Sequence, residues 1–302
     1  MKIYESNYKG VPSVAIETEN FIATYLPTEG GKLASFISAG KEYLVQGKAD
    51  KFLHLDYDGE FVDGECAGFD DMFPTVDLVT IKEGTRAGEY YNDHGEVARL
   101  SFSHEISRNA LKMKTVSKRL NYSYKKTVTV DEQGKLSIEY LIENLSSDEF
   151  NCLWAGHLLV AMPEGGKILT PFEFGDAVDL VSDIKGKLGN RGDRLKLSSK
   201  EMLEFNKEPE NHCYKLYFPQ KLEGSFVGFS VNGGKTLFME FSKELPYLGL
   251  WINDGSFFTR RSVGLEPCTA GYDTVYNAEE HGQKSVIPAK GQLKFTVKLS
   301  VK

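Results

Sequence analysis

Residues 126–142 read KTVTVDEQGKLSIEYLI. Leu136, Ile138, Tyr140 and Ile142 alternate with Ser137, Glu139 and Glu143, and only Leu141 breaks the rule. Lys126 to Val130 is also β-branched and alternating, and Asp131-Glu132-Gln133-Gly134 between the two runs is a turn. Period two with such a turn predicts a β-hairpin with one face on a core. The same pattern recurs outward from this point. Phe295, Val297, Leu299 and Val301 alternate with Lys294, Thr296, Lys298 and Ser300. Asn232-Gly233-Gly234 joins the runs Phe226–Val231 and Thr236–Phe241, and Gly30-Gly31 with Ala39-Gly40-Lys41 bracket another short strand. Helical signal is confined to Ser198–Phe205, with Ser198 or Ser199 as cap. Ile184 to Arg194, rich in Gly, Lys and Asp, reads as a loop. No repeat of solenoid or propeller length and no Pro/Ser linker interrupts the pattern. The expectation is a single all-β domain over residues 1–302, a large antiparallel sandwich or barrel.

Composition agrees. The chain has 302 residues, 41% of them hydrophobic and 26% charged, with 29 glycines, 15 tyrosines and 19 phenylalanines. That is globular composition, leaning toward turns and strands. The formal charge of −7 speaks against nucleic acid, which needs clustered Lys and Arg. The longest apolar runs, such as Leu158 to Met162, fall far short of the ~20 residues of a membrane span. The first twenty residues hold no apolar h-region, so the expected location is the cytoplasm. Cys66, Cys152, Cys213 and Cys268 are scattered, which reads as reduced thiols rather than a disulfide set or zinc tetrahedron. GxSxG, HExxH, GxGxxG, the Walker loop and the EF-hand loop are all absent.

Three segments place polar groups where the pattern asks for apolar ones. In Tyr91-Asn92-Asp93-His94-Gly95-Glu96, leading into an expected strand Val97–Phe102, His94 is either a solvated turn residue or a group that carries chemistry. In Leu153-Trp154-Ala155-Gly156-His157-Leu158-Leu159-Val160, His157 sits inside an apolar strand, as a satisfied core histidine or a titrating group. In Val263-Gly264-Leu265-Glu266-Pro267-Cys268, Glu266 ends an apolar strand. The bland reading is a salt bridge to Arg260 or Arg261, and the functional one is an acid/base carboxylate. Phe69-Asp70-Asp71-Met72 adds two carboxylates, which on a regular strand point to opposite faces. Tyr247-Leu248-Gly249-Leu250-Trp251 offers an aromatic plane suited to sugar C–H faces, although a core Trp is commoner.

Taken in order, these segments resemble the aldose 1-epimerase (galactose mutarotase-like) family. Ala23–Leu44 with Gly30-Gly31-Lys32-Leu33 is similar to its opening, His94-Gly95 to its first histidine motif, Gly156-His157 to its second, and Leu265-Glu266-Pro267 to its late Glu-Pro motif. The resemblance spans nearly the whole chain and implies the family's large twisted β-sandwich, in a divergent member.

It also implies a mechanism. Glu266 would take the proton of the C1 hydroxyl, His157 would protonate the ring oxygen, and His94 would orient the sugar. The opened chain would rotate about C1–C2 and close on the other face. No metal or organic cofactor is needed. Where the family carries an Asp-His pair that binds sugar hydroxyls, this chain reads Asn211-His212-Cys213. Where the family carries an Arg, it reads Phe69-Asp70-Asp71-Met72. Asp70, Asp71, Asn211 and Trp251 are therefore the expected sugar-binding residues. The two aspartates would repel phosphate, which favours an unphosphorylated aldose. Two other readings stand beside this one. One is a non-catalytic carbohydrate-binding protein on the same fold. The other is a glycoside hydrolase pairing Glu266 with Asp70 or Asp71.

Overall fold

The computed structural model describes residues 1–162, 165–173, 175–198, 205, 208–230, 234–258 and 260–302. The opening hairpin forms as read: Tyr122–Val130 pairs antiparallel with Leu136–Asn144, Val130 opposite Leu136. Asp131 and Gly134 close the turn, with Gly134 at φ 75°. Gln292–Val301 pairs with Leu136–Asn144, and Phe295, Val297 and Leu299 alternate as its buried residues. Among the described residues, this hairpin belongs to a sheet of eight strands.

A second sheet, of twelve strands among the described residues, faces it. Its middle runs, in spatial order, Lys32–Ser38, Phe69–Met72, Ala155–Ala161, Arg261–Cys268, Tyr247–Asp254 and His212–Phe218, all antiparallel. One face of these strands packs Leu158, Val160, Leu265, Leu250 and Leu216 into the main core between the sheets. The other face is largely covered as well, with Met72, Ala155, Tyr217 and Cys268 in a second cluster, and Leu159 beside Trp251 in a third. A strand covered on both faces reads as a continuous apolar run, which is why Leu153–Val160 lacks clean alternation.

The two sheets are joined by more than apolar contact. The buried Asp71 carboxylate accepts from Tyr124 (3.0 Å) and Tyr140 (3.1 Å) and pairs with Lys126 (2.6 Å). The Trp154 indole donates to the Tyr124 hydroxyl at 2.7 Å.

Three local readings are corrected or fall outside the described residues. Val97–Phe102 is not a strand: Val97–Arg99 is one 3-10 turn. The backbone there is drawn off to other partners, Glu96 and Val97 donating to Phe73 and Phe102 to Pro27. A helix at Val275–Glu280 was not anticipated; Thr274 caps it by accepting from the Asn277 amide. The expected helix at Ser198–Phe205 and the turn at Asn232-Gly233-Gly234 lie, apart from their ends, outside the described residues. No helix among the described residues is long and apolar enough to cross a membrane.

Candidate active site

The register of the large sheet builds the site. Ala155 pairs with Cys268 and Leu158 with Leu265, so His157 lies opposite Glu266. On its other side His157 pairs with Asp70, while Glu266 pairs with Gly249 and Gly249 with Tyr217. One transverse row thus carries Asp70, His157, Glu266, Gly249 and Tyr217, all on the face away from the main core. The next row carries Leu159, Gly264, Trp251 and Lys215. Above these rows lies a cavity of about 310 Å³, lined by His94, His157, Trp251, Lys215 and Glu266 among others.

His94 reaches the cavity from a turn rather than a strand. Its φ is +55°, and its imidazole stacks on Phe61 with centroids 4.0 Å apart and planes 1° from parallel. Its ring meets that of His157 edge-on at 5.4 Å. The following Gly95 is a steric requirement, because at φ 75° a Cβ there would lie 2.3 Å from the Phe73 carbonyl oxygen. The His94 Nδ1 is 2.9 Å from Asp93. Burial would raise the Asp93 carboxyl, but the hydrogen bond and charge of His94, with Arg99 nearby, hold it below the ordinary range.

His157 is buried, and its Nδ1 has no hydrogen-bond partner among the described residues. Burial, helped by the charges of His94, Lys215 and Lys32, holds its imidazole well below 6.5, in the neutral form. Glu266 is buried too, and burial raises its carboxyl although the Lys215 ammonium lies 3.0 Å away. The back of its side chain lies over Gly264: a Cβ there would come within 2.9 Å of Glu266 Oε1. Lys215 also pairs with Asp273 at 2.7 Å, and those two carboxylates hold it charged against the cost of burial.

The partner of Glu266 is therefore Lys215, and neither Arg260 nor Arg261; Arg261 pairs with Asp254 at 2.6 Å. Lys215 is one of the cavity residues that the sequence reading missed. Its signal was present, as a lysine in mid-strand of the wholly buried run His212–Phe218.

Three expected sugar-binding residues do not line the cavity. Asp71 points to the opposite face, into the core between the sheets. Asp70 shares the row of His157 but is tied to Lys32 at 2.8 Å. It borders a separate small void, with Phe61 lining both that void and the main cavity. Asn211 precedes its strand at φ 50° and turns toward the Gly255 loop. Strand parity accounts for Asp71, a competing cation for Asp70, and a left-handed turn for Asn211. Trp251, by contrast, is in the cavity wall, 6.4 Å from the His157 ring. Among the described residues no three His, Cys, Asp or Glu side chains are grouped as a metal would require.

The fold is that of the galactose mutarotase-like β-sandwiches. A galactose mutarotase-like protein from Lactobacillus casei superposes with a TM-score of 0.69 at 15% identity, over 96% of this chain and 100% of that one. Another from Clostridium acetobutylicum gives 0.67 at 13% identity, over 100% and 98%. A GalM/aldose epimerase homologue from C. elegans gives 0.64 at 12% identity, over 96% and 99%. No protein-family model and no curated protein matches the sequence.

Proposed function

We propose that the protein is an aldose 1-epimerase, interconverting the α and β anomers of an aldose by acid/base opening and closure of the ring. The observation that carries this reading is the register pairing of His157 with Glu266, under His94, in one cavity with an aromatic wall. Glu266 takes the proton of the C1 hydroxyl. The bond from C1 to the ring oxygen breaks as that oxygen is protonated, the aldehyde rotates, and the reverse steps close the ring on its other face. His157, neutral in its buried setting, offers an N–H to the ring oxygen. His94, tethered to Asp93, orients the sugar and is the acid that protonates the ring oxygen, taking that proton back when the ring closes. Lys215 keeps a positive charge beside Glu266 so that its carboxylate survives burial. The hydrolase reading is weaker, because its second carboxylate was to be Asp70 or Asp71, and neither lines the cavity.

NMR exchange between anomers across a panel of aldoses tests this. Acceleration over buffer should fall at least ~100-fold in Glu266→Gln and in His157→Asn. Sugar binding with exchange at the buffer rate would assign a non-catalytic binding protein instead.

A further inference from the structure

The expectation of a neutral sugar rested on Asp70 and Asp71, and both are absent from the cavity wall. Two arginines stand there instead. Arg260 is half-buried, and its guanidinium donates to the carbonyls of Gln46 (3.0 Å) and Cys66 (3.1 Å) and lies over the Phe258 ring. Carbonyl oxygens and a ring face carry no formal charge; the carboxylate that acts on this cation is Glu65, which Lys9 already holds at 2.6 Å. Arg191, on the loop between the strands Ala177–Asp183 and Arg194–Lys196, lines the same cavity without hydrogen bond or ion pair among the described residues.

The third cation of the cavity, Lys215, differs from both. Glu266 and Asp273 neutralise it at 3.0 and 2.7 Å. The cavity is therefore polarised. Three carboxylates, Glu266, Asp273 and Asp77, gather around Lys215 on the side that Val76 and Asp77 tie to Asp273 through backbone bonds. Arg191 and Arg260 reach the same cavity from loops outside that cluster. Arg260 is half-buried and Arg191 exposed, and a guanidinium with unused N–H groups can grip an oxyanion by two parallel bonds.

We propose that the sugar carries an anionic substituent, a carboxylate or a phosphate, remote from its reacting carbon and bound by Arg260 and Arg191. This rests on the aldose reading for the site but is tested apart from it. Equilibrium binding of glucose, glucuronate and glucose 6-phosphate, followed by calorimetry, reads the preference without any turnover. Wild type should bind at least one anionic sugar about tenfold or more tighter than glucose. The ratio of anionic to neutral affinity should fall about tenfold in Arg191→Gln and in Arg260→Lys, which keeps the charge but loses the fork. The preferred anion separates a sugar acid from a sugar phosphate. Equal or tighter binding of glucose by wild type overturns the proposal, and so does a ratio that moves less than about twofold in both variants. Anomer exchange measured on the same sugars judges the epimerase reading separately. An anionic sugar that binds but does not exchange faster than in buffer defeats that reading and leaves the anion site standing.

Discussion

His157 shows how a single side chain ties the site to stability. Its imidazole is held well below 6.5 by burial and by neighbouring positive charge, so the folded protein keeps it neutral. In the unfolded chain it takes a proton below pH ~6.5. The unfolded state then binds more protons, so this residue's share of stability is present above pH ~6.5. It is lost progressively as the pH falls toward the folded value. Urea midpoints at pH 7.5 and 5.5 should therefore drop more for wild type than for His157→Gln. Glu266 sets the catalytic counterpart. Burial raises its carboxyl, so the acid limb of the exchange rate should lie above the ordinary glutamate value, with activity lost as pH falls through it. His94, His157 and Glu266 were legible in the sequence as polar groups interrupting apolar patterns. Arg191 and Arg260 were not, because they sit on loops, where no period assigns a direction.

At the scale of strands, two neighbours of Glu266 have distinct effects. Gly264 is small because the glutamate side chain lies over it. Gly264→Ala should displace the carboxylate and slow exchange at least ~10-fold, and because Trp251 Cβ at 3.2 Å must also give way, chemical denaturation should show a loss of about 1–2 kcal/mol. Lys215→Met should act on both properties. It leaves Glu266 and Asp273 buried without their cation, at a cost of about 3–5 kcal/mol of unfolding free energy. It should also move the acid limb to higher pH, because the charge that favours the glutamate anion is gone. Period two made the strands of the outer hairpin visible at once. The central strands were harder, since both faces are covered and a lysine among apolar residues does not announce which face it takes.

Across the whole molecule, Asp71 is a tie between sheets. It joins the strand Phe69–Met72 of the large sheet to Tyr124, Lys126 and Tyr140 of the other. Asp71→Asn leaves Lys126 buried without its carboxylate and should cost about 3–5 kcal/mol in urea unfolding. Sugar affinity, measured by calorimetry, should stay within about twofold; a larger loss would return Asp71 to the binding site. A sandwich was readable from alternation alone, but the facing of Asp70 and Asp71 was not, because a strand's parity is settled only by its neighbours. The transverse row has a kinetic corollary. Its members come from chain segments near residues 70, 157, 217, 249 and 266, and the segment holding Glu266 is inserted between two earlier ones. No partial chain ending before that strand can hold Glu266 against His157. Such non-local pairings form late, because the loop entropy must be overcome first. In refolding, recovery of sugar exchange should then trail the burial of aromatic side chains in the hairpin sheet. A slip of one residue in that inserted strand would turn Glu266 toward the apolar interior and abolish the proposed sugar exchange while leaving most of the secondary structure in place.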